Sequence, residues 1–148
     1  PGKASVLYSD APSLVRMDFT DVISTFKVEK IKHALRGGQT LRTEERLYSP
    51  SGRYYVVMQE DGNLCTYTAE EKIQWCTMQH GFQNGQLDMQ KDGNLVVYDS
   101  EGEARWSSET HPYFDRQWSW TTPVKMIMAN DGRLKLYDRD NNLVWKSH

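Results

Sequence analysis

The stretch Met89-Gln90-Lys91-Asp92-Gly93-Asn94-Leu95-Val96-Val97-Tyr98 decides how this chain is read, because it is one of three related copies. Residues 58–67 run Met-Gln-Glu-Asp-Gly-Asn-Leu-Cys-Thr-Tyr, and residues 128–137 run Met-Ala-Asn-Asp-Gly-Arg-Leu-Lys-Leu-Tyr. In every copy the Tyr is followed eight residues later by Trp: Tyr67 by Trp75, Tyr98 by Trp106, Tyr137 by Trp145. The first two copies lie 31 residues apart and the third 39 further on. A repeat of this kind is one supersecondary unit that buries its apolar face only against its neighbours. The period is short for propeller blades, which run to about 40–45 residues.

Side chains alternate along a strand. In the second copy this puts Met89, Leu95 and Val97 on a core face and Gln90, Asp92, Asn94, Val96 and Tyr98 on a polar one. Read as one strand, the polar face is a row of groups at intervals of about 6.5–7 Å. Polar turns follow each Tyr, at 68–71, 99–103 and 138–142, and the chain then returns to a Trp that by parity joins the core. Three hairpins of this kind are expected to pack about a shared axis, with almost no helix between residues 35 and 148. Upstream, Leu35 to Leu41 reads as a turn entering a strand around Gly37-Gly38, and Ser49-Pro50-Ser51-Gly52 as a second turn.

Two segments lie outside the repeat. In residues 1–34 the apolar positions Phe19, Val22, Ile23 and Phe26, continuing to Ile31 and Leu35, fall near helical spacing, with Gly37-Gly38 as a stop. They read as a short amphipathic helix or as an extended arm. Residues 109–124 form an insertion with four aromatic rings, Tyr113, Phe114, Trp118 and Trp120, suited to self-contact in the core or to a partner surface.

The bulk numbers agree with a globular chain: 148 residues, 38% hydrophobic and 26% charged, too apolar for disorder. A net charge of -2 supplies no field for nucleic acid. No run approaches the roughly 20 apolar residues of a membrane span, and no signal peptide is visible at Pro1-Gly2-Lys3-Ala4. His33, His80, His111 and His148 are scattered without metal-ligand spacing, and Asp-Gly-Asn lacks the remaining ligands of a calcium loop. No nucleophile, base and oxyanion site can be assembled, so an enzyme is not expected and no cofactor is implied. Cys65 and Cys76 are the only cysteines. On a hairpin with a two-residue turn at Glu70-Glu71 they would face each other, where a cross-strand disulfide is open but often strained.

The pattern Gln-x-Asp-x-Asn-x-Val-x-Tyr resembles the signature of the monocot mannose-binding, bulb-type lectins over roughly residues 32–148. The resemblance implies an all-β, β-prism II fold, with three four-stranded sheets about a pseudo-threefold axis. It divides the chain into an arm, 1–34, and a lectin domain, 35–148, with repeats near 35–76, 77–106 and 107–148. It implies that Asp and Asn bind the axial 2-hydroxyl of mannose, Gln the 3-hydroxyl and Tyr the 4-hydroxyl, while Val touches ring carbons. Carried over, one sugar site is Gln59, Asp61, Asn63, Cys65 and Tyr67, with Cys in place of Val. A second, complete site is Gln90, Asp92, Asn94, Val96 and Tyr98. In the third copy Ala129, Arg133 and Lys135 replace Gln, Asn and Val, leaving Asp131 and Tyr137. Cations cannot accept a hydrogen bond, so that site is expected to be inactive, like decayed sites in fish members of the family.

The expected function is metal-independent binding of mannose-containing glycans or glycoproteins, in a homodimer built through the arm or the aromatic insertion. Glycan binding favours an extracellular setting. Two rivals remain: a structural or toxin-like interaction module whose sugar sites are vestigial, and a protein whose activity resides in the arm with the lectin as its address.

Overall fold

A computed structural model describes residues 33–111 and 122–148. The four aromatic rings of the insertion fall outside these residues, as does the expected helix over the arm apart from Leu35 and Gly37-Gly38. Those belong to a strand and the turn after it rather than to the end of a helix.

The described residues hold twelve strands and no helix. They are β1 (Ala34–Arg36), β2 (Gln39–Arg42), β3 (Arg46–Tyr48), β4 (Tyr54–Met58), β5 (Leu64–Thr68), β6 (Ile73–Cys76), β7 (Gln86–Met89), β8 (Leu95–Tyr98), β9 (Ala104–Ser107), β10 (Lys125–Met128), β11 (Leu134–Tyr137) and β12 (Leu143–Lys146). They form three antiparallel four-stranded sheets. Sheet I has the order β3-β4-β5-β6, sheet II β2-β7-β8-β9 and sheet III β1-β10-β11-β12. This is the β-prism II arrangement, with one sequence repeat at the centre of each sheet.

The fourth strand of every sheet comes from elsewhere. β1, β2 and β3 follow one another in the chain, yet each joins a different sheet. Their core residues, Leu35, Leu41 and Leu47, are spaced six apart and pair with Met126, Leu87 and Val56 respectively. At the corners Gln39 and Glu45 accept from the amides of Arg36 and Arg42, each at 2.8 Å. The Gly38 and Glu44 amides donate to Met89 and Met58 of neighbouring sheets at 2.7 and 2.6 Å. The unit 35–76 is therefore not a self-contained sheet, since its first strands complete the other two.

The core follows the expected parity. Met58, Met89 and Met128 are fully buried at equivalent positions, as are Leu64, Leu95 and Leu134. Val97 and Leu136 are matched in sheet I by buried Thr66, whose hydroxyl donates to the Trp75 carbonyl at 3.5 Å. Trp75, Trp106 and Trp145 pack on this core and meet edge to face, with centroids 5.8, 5.9 and 6.2 Å apart. Such pairs add about 0.5–1.5 kcal/mol each beyond burial. Because each ring comes from a different sheet, they join all three.

The hairpins after each Tyr stand where expected, but their turns differ from the two-residue form. Each is a three-residue loop, 69–71, 100–102 and 139–141, closed by a backbone bond such as Thr68 N to Lys72 O at 2.8 Å. The third loop residue is left-handed: Glu71 (φ 68), Gly102 (φ 84) and Asn141 (φ 66). A bulge at Gln74, Arg105 or Val144 then restores the register, so Cys65 still faces Cys76.

In two loops an aspartate holds the turn. Asp99 Oδ1 accepts from the Glu101 and Glu103 amides, each at 2.9 Å, and Oδ2 accepts from Arg105 Nε at 2.8 Å. These bonds, the Glu103 amide foremost, hold its carboxyl below the usual aspartate value. Asp138 is lowered likewise, chiefly by the Asn142 amide. A lowered folded pKa contributes stability above the unfolded value, lost as pH falls through the folded one. Asp99→Asn should therefore destabilise the protein at pH 7, with the gap to wild type closing below about pH 4. Urea midpoints across that range check this.

Candidate functional site

The motif residues do not stand in a row along one strand. Gln90 to Asn94 form the turn between β7 and β8, so the reading of a continuous strand is corrected. The Gln90 amide donates to Asn94 O at 2.9 Å, and the Gly93 amide to Gln90 O at 3.1 Å. Asp92 Oδ1 accepts from the Asn94 amide at 2.9 Å, an aspartate closing its own turn. Gly93 takes φ 95, and a Cβ there would lie 2.5 Å from Thr122 Cγ2. The first and third motifs repeat the turn at Gln59–Asn63 and Ala129–Arg133. Turning the chain is what brings Gln and Tyr together across the hairpin, though eight residues separate them.

In the first motif Gln59 Nε2 donates to both Asp61 oxygens at 3.1 and 3.3 Å, and the Tyr67 hydroxyl donates to Gln59 Oε1. In the second, with the amide oriented by its partners, Gln90 donates to the Asp92 oxygens at 3.1 and 3.2 Å and accepts from the Tyr98 hydroxyl. Asn63 Oδ1 accepts from Thr77 Oγ1 at 3.0 Å. Asn94 Oδ1 accepts from Ser108 Oγ at 3.3 Å and the Thr110 amide at 3.2 Å. With each oxygen engaged, the Asn NH2 is the part of the side chain left to donate elsewhere. The Asp carboxylate has lone pairs beyond those its neighbours use. Cys65 and Val96, the apolar members of the two motifs, are both buried. Each site thus offers an acceptor, a donor, a phenol and an apolar residue within one hairpin. Among the described residues no group of three His, Cys, Asp or Glu side chains could hold a metal ion.

The first site has further walls that sequence reasoning missed. Tyr55 stacks on Tyr67 with centroids 5.4 Å apart, and the Arg46 guanidinium lies 4.3 Å from the Tyr55 ring centre. With Gln59, Asp61 and Gln83 they line a cavity of about 580 Å³. Burial first, then Tyr55 and Asp61, push the Tyr67 phenol above the usual tyrosine value, so it is a donor at neutral pH. Parity could have found Tyr55, which pairs with Tyr67 across the hairpin. Nothing in the sequence marked Arg46, on the separate strand β3.

Cys65 and Cys76 form a disulfide across β5 and β6, with Cα atoms 4.1 Å apart; neither is among the residues that line the cavity.

At the third motif Asp131 is occupied from within. Lys135 Nζ lies 2.9 Å from Asp131 Oδ2 and Arg133 Nη1 3.9 Å from the same oxygen. The Lys135 hydrogen bond is the largest cause of a carboxyl held below the usual range. Ala129 supplies no amide, so the Gln–Asp–Tyr chain is absent there.

Three sheets closed on one axis, each with a polar site at a hairpin turn, define a β-prism lectin architecture. No family model matches the sequence, and no curated relative does. Solved structures do match. Monomeric monocot mannose-binding lectins from Gastrodia elata share 33% identity at a TM-score of 0.66, covering 78% of this chain and 96% of theirs. The mannose-specific agglutinin of snowdrop (Galanthus nivalis) bulbs, complexed with methyl-α-D-mannoside, shares 31% identity at 0.62, covering 77% and 94%. A Marasmius oreades lectin shares 25% at 0.66, covering 78% and 89%. The chain belongs to the monocot mannose-binding lectin family, whose members are carbohydrate-binding proteins rather than enzymes.

The disulfide generates a prediction. In sheet II the same pair is Val96 and Ser107. Cys65→Val with Cys76→Ser should therefore fold, yet lose about 2–3 kcal/mol, as expected for opening a loop of this length. Chemical denaturation measures it.

Proposed function

We propose that this protein binds α-mannosyl glycans without a metal, at Gln90, Asp92, Asn94, Val96 and Tyr98 and at Gln59, Asp61, Asn63, Cys65 and Tyr67. The observation that carries the reading is the Gln–Asp–Tyr hydrogen-bond chain, which recurs in the same form in both hairpins. Tyr pins Gln, and Gln pins Asp, so the carboxylate is oriented before a ligand arrives and little rotamer freedom is lost on binding. A sugar hydroxyl donates to the Asp and accepts from the Asn NH2. That pairing suits an axial hydroxyl reaching into the turn. The ring carbons rest on Val96, or on the disulfide at the first site. Asp131 is engaged by Lys135, so the third site takes no mannose.

Substituting both Asp61 and Asp92 by Ala removes the charged acceptor, worth about 1.5–3 kcal/mol per site. Mannan binding by the double variant should be lost, while chelator leaves wild-type binding intact. Undiminished mannan binding by the double variant would refute the assignment.

A shallow site of this kind binds a monosaccharide with Kd near 1 mM, about -4 kcal/mol. Linked sites gain avidity of order 10²–10⁴. The two sites lie on different sheets and face different ways, so we also propose a homodimer, with residues 1–34 and 109–124 in its interface. Ile73, Leu143 and Val144, exposed on the outer strands β6 and β12, add apolar surface. Light scattering should give twice the chain mass at tens of micromolar; a monomer there would exclude the dimer and leave the sugar assignment standing.

A further inference from the structure

The solvent face of sheet III has changed character. Strand pairing sets Arg36 opposite Lys125, and Lys135 opposite Lys146. The same two positions carry Tyr48 opposite Tyr55 and Cys65 opposite Cys76 in sheet I. In sheet II they carry Arg42 opposite Gln86 and Val96 opposite Ser107. Arg133, at the motif turn, adds a fifth cation to sheet III. Asp131 is the one carboxylate in ion-pair contact with any of them among the described residues, and it touches only Arg133 and Lys135. Lys125 lies 5.9 Å from the Tyr137 ring centre and donates to Asn141 Oδ1 at 2.7 Å, which holds its ammonium at the hairpin-loop end of the face.

Like charges directly opposite across strands destabilise a sheet. Two such pairs stand on one face, offset from each other by two residues along the strands, where the sister sheets have Tyr–Tyr and Arg–Gln pairs, a disulfide and a Val–Ser pair; they are a standing cost that an anionic ligand would relieve. The chain as a whole carries -2, so this face is a local concentration of positive charge. Asp131, Asp138 and Asp140 belong to the turns of this sheet, Asp138 being buried and taken up by loop amides, whereas Glu44, Glu60, Asp61 and Glu71 gather around the first site.

We propose that the solvent face of sheet III is a separate binding site for a sulfated polysaccharide. Cations on neighbouring strands stand about 5 Å apart, and alternate residues about 7 Å apart. That grid meets several sulfates on one extended chain. Tyr137, at the position of Tyr67 and Tyr98, adds a ring and a hydroxyl suited to sugar rather than to a bare anion. A nucleic-acid surface normally accompanies a strongly basic domain; here the pI is about 6.1.

The test uses the full chain and a heparin oligosaccharide on a biosensor, with its desulfated form and a single-stranded oligonucleotide of matched charge as comparisons. Heparin should bind at physiological salt and weaken steeply as salt rises, while the desulfated form does not bind. Lys135→Val with Lys146→Ser copies the pair of sheet II. It should weaken heparin binding about tenfold or more, leave mannan binding unchanged, and melt no lower than wild type. Asp131→Asn removes the internal competitor and should strengthen heparin binding. Asp61→Ala with Asp92→Ala should leave heparin binding intact, which separates this site from the mannose sites. Absence of heparin binding by wild type, equal binding by the Lys135/Lys146 variant, or tighter binding of the oligonucleotide would each overturn the proposal.

Discussion

Each sheet of this protein gathers its buried Leu and Met on one face, and none can hide that face except against the other two. Everything else in the structure follows from that constraint. A lone four-stranded sheet with Leu, Met and Val on one side would expose that whole side to water. Three of them around an axis produce one closed core, and the Trp75, Trp106 and Trp145 triangle holds one ring from each. The ribbon of residues 34–48 enforces the closure by topology. It gives one strand to each sheet in succession, so no sheet is complete until all three are present. Long-range pairings such as Leu35 with Met126 make this a fold of high contact order.

Site and fold share the same atoms at the motif turns. The Asp that would accept a sugar hydroxyl also accepts the amide two residues on, and the Gly after it lets the chain reverse. This explains what the third motif retains. Asp131 and Gly132 still build the turn, and Met128, Leu134 and Leu136 still fill the core. Ala129, Arg133 and Lys135 replace only side chains to which we assign ligand contact at the other two motifs. The retained Asp131 is accounted for by the turn it closes.

Much of this was legible from the chain alone. The repeat, the parity of its core residues and the hairpins before each Trp all stand in the sequence, because burial on one face imposes a period of two. The misreading of Gln90–Asn94 as strand has a physical source: a tight turn with alternating side chains has the same period as a strand, and only the left-handed Gly93 breaks it. The loop and bulge after Thr66 compensated each other, so the facing of Cys65 and Cys76 was right although the turn was not. Leu35, Leu41 and Leu47 carried a spacing of six that was open to inspection, but nothing local says that consecutive strands enter different sheets. Arg46 joins the first site only through that topology, so no reading of the repeat could reach it.

A threefold scaffold with interior symmetry leaves its three outer faces free to diverge. Core positions are coupled, since a change in Met89 is felt by the other two sheets through the shared axis. The outer faces are not: Cys65–Cys76, Val96–Ser107 and Lys135–Lys146 occupy one structural position with three different chemistries. Sheet I has become aromatic and acidic around its site, sheet II keeps the full motif, and sheet III is basic. The faces point away from one another, so what binds at one is not competed for by the others. Loss of the motif on one face therefore costs the fold almost nothing and opens that face to selection for a different ligand.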